Sequence, residues 1–121
     1  MLHHVGLEVS DLESSARFYD AVFYALGARR IREHPEAVAY GTVEPRFWIV
    51  ARGRRPSPGY GHVALQAHGK AAVEAAHAAG LANGGRDEGP PGRRPQYGNT
   101  TYAAYLRDPD GLRVEVVAAG R

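Results

Sequence analysis

The chain has 121 residues and a mass of 13.1 kDa, with 44% hydrophobic and 23% charged residues, the profile of one globular domain that buries roughly two-thirds of its unfolded surface. It contains no cysteine, which excludes disulfide scaffolds, thiolate metal sites and cysteine nucleophiles and leaves histidine and carboxylate as the ligands for any metal. The formal charge is only +2, the arginines are spread through turn-like segments, and no run is long and apolar, so the expectation is a cytoplasmic protein with neither a nucleic-acid nor a membrane partner.

In the opening segment Val5, Leu7 and Val9 alternate with His4, Gly6 and Glu8, the period-two signature of a strand with one face on a core. Ser10 stands three residues before Glu13, which predicts a capping box and a helix start. Leu12, Ala16, Tyr19, Phe23 and Leu26 then recur at helical spacing, and Gly27 is placed to end the helix in a left-handed conformation. Three strands are expected next, around Ala28 to Glu33, Ala37 to Gly41 and Arg46 to Ala51. The Arg-, Gly- and Pro-rich run after them reads as a connector at about residues 53–60.

Beyond the connector GHVALQA alternates again, and an alanine-rich helix is expected from about Lys70 to Ala79 with Gly80 as its stop. The segment Gly84 to Gly98 is rich in glycine and proline and is expected to be a long functional or mobile loop. Asn99 to Arg107 reads as a strand, Asp108-Pro109-Asp110-Gly111 as a type I turn, and the last strand runs through Glu115.

The two halves rhyme. HVGLEV at 4–9 matches HVALQA at 62–67, and RFWIVA at 46–51 lines up with RVEVVA at 113–118. This predicts a duplicated strand–helix–three-strand unit, with module one at about 1–52 and module two at about 61–121.

Strand parity carries the chemistry. If Val5, Leu7 and Val9 face helix one, His4 points to the opposite face of its sheet, and His62 does the same in the second half. In the last strand Val114 and Val116 take the helix side, which leaves Arg113, Glu115 and Val117 on the far side. Glu115 is then a carboxylate within an apolar strand, where a metal or another cation would offset the cost of burying its charge. Two imidazoles and one carboxylate are the ligand set of a facial triad for Fe(II), which Mn, Zn, Ni or Co also accept.

Together HHVGLEVSDLESSARFYDAVFYALG, GHVALQA and DPDGLRVEVV resemble the vicinal oxygen chelate superfamily, which includes glyoxalases, extradiol dioxygenases, fosfomycin-resistance transferases and bleomycin-binding proteins. The resemblance implies an α+β fold of two βαβββ modules forming a curved mixed sheet around one site, a small-molecule substrate and a homodimer. It places the metal ligands on His4, His62 and Glu115, and a divalent metal there would stabilise an anionic intermediate of an oxygen-bearing substrate. Trp48 occupies the position where glyoxalase I-like members carry a further ligand, which favours dioxygenase-like or transferase-like chemistry.

Around this triad, Glu115 also has an expected catalytic role, with Tyr102 and Glu8 as further acid, base or hydrogen-bonding groups. Trp48, Tyr105, Tyr97, Arg93 and Gln66 are the expected substrate-binding residues, with Arg94 beside Arg93 as a second group to close over an anion. His3 is the competitor to His4 through a slip of register, while His34, His68 and His77 are expected at the solvent. The alternative function is metal-free sequestration of a drug or metabolite in a cavity lined by Trp48.

Overall fold

The computed structural model describes residues 1–119 and contains two four-stranded mixed sheets and two helices. Module one comprises β1 (Val5–Val9), α1 (Leu12–Ala25), β2 (Arg29–His34), β3 (Ala37–Gly41) and β4 (Phe47–Ala51), in the sheet order β1-β4-β3-β2. Module two comprises β5 (His62–Gln66), α2 (Lys70–Ala82), β6 (Arg86–Arg93), β7 (Thr101–Arg107) and β8 (Arg113–Ala119), in the order β5-β8-β7-β6. In each module the first strand pairs parallel with the last and the other pairings are antiparallel. The α+β architecture and its duplication are therefore as the sequence predicts.

The alternation at each strand decides what is buried. Val9, Phe47, Ile49, Val114 and Val116 face inward and join Phe18, Tyr19, Val22 and Phe23 of α1 and Val73 and Ala76 of α2 in one apolar cluster that spans both modules. The helices pack against each other, and Gly80 lets them do so. A Cβ at Gly80 would lie 2.7 Å from Leu106 Cδ1, 3.1 Å from Phe18 Cε1 and 3.3 Å from Val22 Cγ2. Gly80 is thus not the stop of α2, which runs on to Ala82 and is followed by Gly84 at φ +98, a value that favours glycine.

Three further differences from the sequence expectation have local causes. Asp11, not Ser10, caps α1: its carboxylate accepts from the Ser14 amide at 3.0 Å. Ser10 instead donates its amide and hydroxyl to Asp110, at 3.0 and 2.5 Å, tying the start of α1 to the turn before β8. The segment expected to be a long loop is largely β6, which tolerates Pro90 and Pro91 because it is an edge strand with register shifts at Gly89. Because β6 is a strand, it covers His77 of α2, which is buried and bonds Asp87 of β6 through Nε2 at 2.9 Å. Among the described residues no helix is long and apolar enough to cross a membrane.

Candidate metal and substrate site

The predicted turn Asp108–Gly111 closes with the Gly111 amide on the Asp108 carbonyl at 2.9 Å and launches β8. Asp108 is buried, and its carboxylate accepts the Tyr19 hydroxyl at 2.7 Å and the amides of Asp110 and Leu112 at 2.9 and 2.8 Å. Burial raises its pKa against the opposing pull of these bonds. The clamp fixes the start of the strand that carries Arg113 and Glu115.

On β8 the inward residues Val114, Val116 and Ala118 alternate with Arg113, Glu115 and Val117 on the far face. β5 is the adjacent parallel strand, with His62 opposite Arg113 and Ala64 opposite Glu115. Because Val63 and Leu65 pack on the core, His62 shares the far face and its Nε2 lies 3.3 Å from Glu115 Oε1. The Glu115 side chain is only 14% exposed and that of His62 46%, so the pair opens outward from a shielded carboxylate. Tyr105 stands opposite Glu115 on β7, and Tyr97 borders the same cavity of about 300 Å³ from the short helical turn Pro95–Tyr97. Burial and the nearby Glu115 charge raise the Tyr105 pKa, keeping its hydroxyl protonated as a hydrogen-bond donor.

Module one presents the equivalent face separately. His4 precedes β1 and is exposed, held between the Arg46 side chain on the His3 carbonyl at 2.9 Å and the Val5 amide on the Arg46 carbonyl at 2.8 Å. His3 Nδ1 lies 2.9 Å from His4 Nδ1, so both imidazoles are at this end of the sheet. Trp48 takes the far side of β4, as the buried Phe47 and Ile49 on either side of it require, and stacks on His34 at 6.0 Å.

The structure therefore brings His62, Glu115, Tyr105 and Tyr97 together and leaves His4 and Trp48 on the other sheet. Among the described residues, no three histidine or carboxylate side chains of one chain converge. Gln66 is exposed at the end of β5. Glu8 is held by Arg54 at 2.5 and 2.8 Å, which lowers its pKa, and it borders a larger cavity of about 530 Å³ under the connector that includes neither His62 nor Glu115.

Tyr102 is a correction. It lies three residues from Tyr105, so strand parity turns it to the helix side, where its hydroxyl donates to Glu74 at 2.7 Å and Lys70 Nζ sits 5.5 Å from its ring centroid. Arg93 is anchored by its Nη2 on the Asn99 carbonyl at 2.7 Å, and Arg94 by its Nη2 on the Pro90 carbonyl at 2.8 Å. Arg113, two residues from Glu115 on the same face, lines the cavity in their place; its parity with Glu115 is the sequence signal that points to it.

Comparison with known proteins identifies the family and the fold. Residues 1–116 match the model of the Glyoxalase/Bleomycin resistance protein/Dioxygenase superfamily. An uncharacterized protein of Bacillus subtilis, YqjT, is 29% identical over 97% of this chain and 98% of its own. The crystal structure of a glyoxalase/bleomycin resistance protein from Albidiferax ferrireducens superposes with a TM-score of 0.86 at 36% identity, covering 95% of this chain and 96% of that one. A lactoylglutathione lyase from Agrobacterium tumefaciens superposes with a TM-score of 0.69 at 25% identity, over 98% of this chain and 92% of that one.

Proposed function

Because the chain belongs to the glyoxalase/bleomycin resistance protein/dioxygenase superfamily, we propose that it is a metal-dependent enzyme acting on a small oxygen-bearing substrate, with a site shared between two copies of the chain. The observation that carries this is the convergence of His62 and the shielded Glu115, 3.3 Å apart at a cavity. One neutral imidazole and one carboxylate are two of the three donors of a facial triad. His4, at the matching position of module one, is the third, supplied by a second copy whose far face covers this one.

The donor set suits a divalent ion of the Fe, Mn, Co, Ni or Zn type, which when bound supplies Lewis-acid stabilisation of negative charge on a substrate oxygen. The chain's own groups do the rest. Tyr105 donates a hydrogen bond into the cavity. Tyr97 at its mouth and Trp48 of the second copy restrict water and orient the substrate, with Gln66 at the edge. Glu8 stays ion-paired with Arg54 and steadies the connector. The further ligand position of glyoxalase I-like relatives is Trp48 here, so dioxygenase-like or transferase-like chemistry is favoured.

The test is metal content after reconstitution of the wild type, His4→Ala and His62→Ala, and of the two variants refolded together. Each variant alone should bind no metal tightly, while mixed pairs should regain one intact site. Wild type that takes up no metal, or His62→Ala that retains it, overturns the proposal and leaves metal-free ligand sequestration as the function. Failure of the mixture to regain metal overturns the sharing between copies.

A further inference from the structure

Most arginines with bonds near the site are committed. Arg93 and Arg94 hold backbone carbonyls, Arg46 holds the His3 carbonyl, and Arg107 pairs with Glu88. Arg113 differs. Its Nε is buried without a hydrogen-bond partner, and none of the ion pairs among the described residues involves it. Its guanidinium lies over the Tyr105 ring, with Cζ 4.3 Å from the centroid. Stacking of this kind orients the guanidinium plane and leaves its N–H edge free to bind an oxyanion.

The neighbouring charge sharpens the point. Glu115 is on the same face two residues along, yet its Oε1 is directed to His62 Nε2 and forms no ion pair with Arg113. A divalent cation on His62 and Glu115 would take up the carboxylate charge and leave Arg113 as a second positive group in the same cavity. Arg94, with Cζ 5.6 Å from the Tyr105 centroid, adds to the positive field. Such a cavity favours a ligand with a negative group beside its chelating oxygen.

We infer that Arg113 is a specificity-determining residue that binds the carboxylate, phosphonate or phosphate group of an anionic substrate next to His62 and Glu115. The substrate class is therefore a small acid and not a neutral diol or aldehyde. The inference rests on the proposed metal site for the second, chelating contact, but the anion contact belongs to Arg113 itself.

Metal affinity is measured first, by Mn(II) titration of wild type, Arg113→Met and Arg113→Lys. Calorimetric titrations with oxalate, hydroxymethylphosphonate and the neutral diol catechol follow, with and without metal. Arg113→Met should keep its metal and its affinity for catechol while losing about tenfold or more in affinity for at least one of the two acids; which acid responds identifies carboxylate or phosphonate. Arg113→Lys should recover part of the loss. In the Zn(II)-loaded wild type, the Arg113 Nε–Hε NMR resonance should shift as the acid is added, a readout independent of whether the Met variant folds. Equal acid binding by wild type and Arg113→Met, a preference of wild type for catechol, or an unmoved Arg113 resonance overturns the inference. If the metal fails to bind yet the acid still binds through Arg113, the metal site falls and the anion site stands.

Discussion

Replacing Asp108 by alanine tests whether the turn before β8 is clamped to helix α1 as the structure shows. The carboxylate is 2% exposed and accepts three hydrogen bonds: the hydroxyl of Tyr19, itself 0% exposed, at 2.7 Å, and two backbone amides at 2.8 and 2.9 Å. Removing it strands a buried hydroxyl, at a cost of about 1–3 kcal/mol, and exchanges two charge-assisted amide bonds for water at about 1 kcal/mol together, while relief of carboxylate desolvation returns part of this. The net expectation is a loss of about 2 kcal/mol. Tyr19→Phe leaves the two amide bonds in place and should cost about 1–1.5 kcal/mol. The double variant should then show a coupling of about 1 kcal/mol or more, since the two changes remove the same bond. Urea unfolding of the four proteins at constant m-value measures all three quantities. Additive losses, or a loss below about 1 kcal/mol for Asp108→Ala, would refute the clamp. Asp108 also sets a pH signature. Its pKa is raised on folding, chiefly by burial, so the native state holds this proton more tightly than the unfolded chain. The resulting stabilisation is complete below the unfolded-state pKa and is lost as pH rises through the raised native value. Asp108→Asn should remove that dependence.

Other perturbations probe the rest of the frame. Gly80→Val places side-chain atoms where even a Cβ would sit 2.7 Å from Leu106 and 3.1 Å from Phe18, and should cost about 2–3 kcal/mol in thermal or urea unfolding by forcing the helices apart. His77→Ala removes the α2–β6 bond to Asp87, whose pKa is lowered chiefly by that bond. The stability from this aspartate is present above its unfolded pKa and lost as pH falls through the lower native value, so the variant should show a shallower acid-side decline, with faster amide exchange along β6. Asp20→Ala strips partners from Arg30, which donates to it through Nε and Nη2 at 2.8 Å each, and from the buried Tyr40 hydroxyl at 2.7 Å. A loss of about 1–2 kcal/mol is expected, mainly from the tyrosine, because the ion pair is partly solvent-exposed.

Much of this molecule is written in local periodicity. The alternation of Val5, Leu7 and Val9 with His4, Gly6 and Glu8, and its repetition from His62, predicted equivalent positions for the two histidines; in the structure His62 lies on the far face of β5, and His4 stands just ahead of β1. The same rule placed Glu115 opposite the valines of β8, and the DPDG turn was legible from proline and glycine alone. These features depend only on neighbours a few residues apart.

Tertiary structure decided what such rules leave open. The edge of a sheet can accept Pro90 and Pro91, so a stretch with loop composition is β6, and its presence buries His77. Gly80 serves the contact between two helices and not the end of one, a choice set by Phe18 and Leu106 far away in sequence. Asp11 caps α1 because Ser10 is engaged by Asp110, 100 residues later. The site follows the same division. Parity alone separates Tyr102 from Tyr105, but only packing shows that His62 and Glu115 meet while His4 belongs with the other sheet, and that Arg113 rests on Tyr105 with no ion pair among the described residues. Contacts between distant segments depend on how whole elements fit together, and periodicity within one segment carries no record of its eventual neighbour.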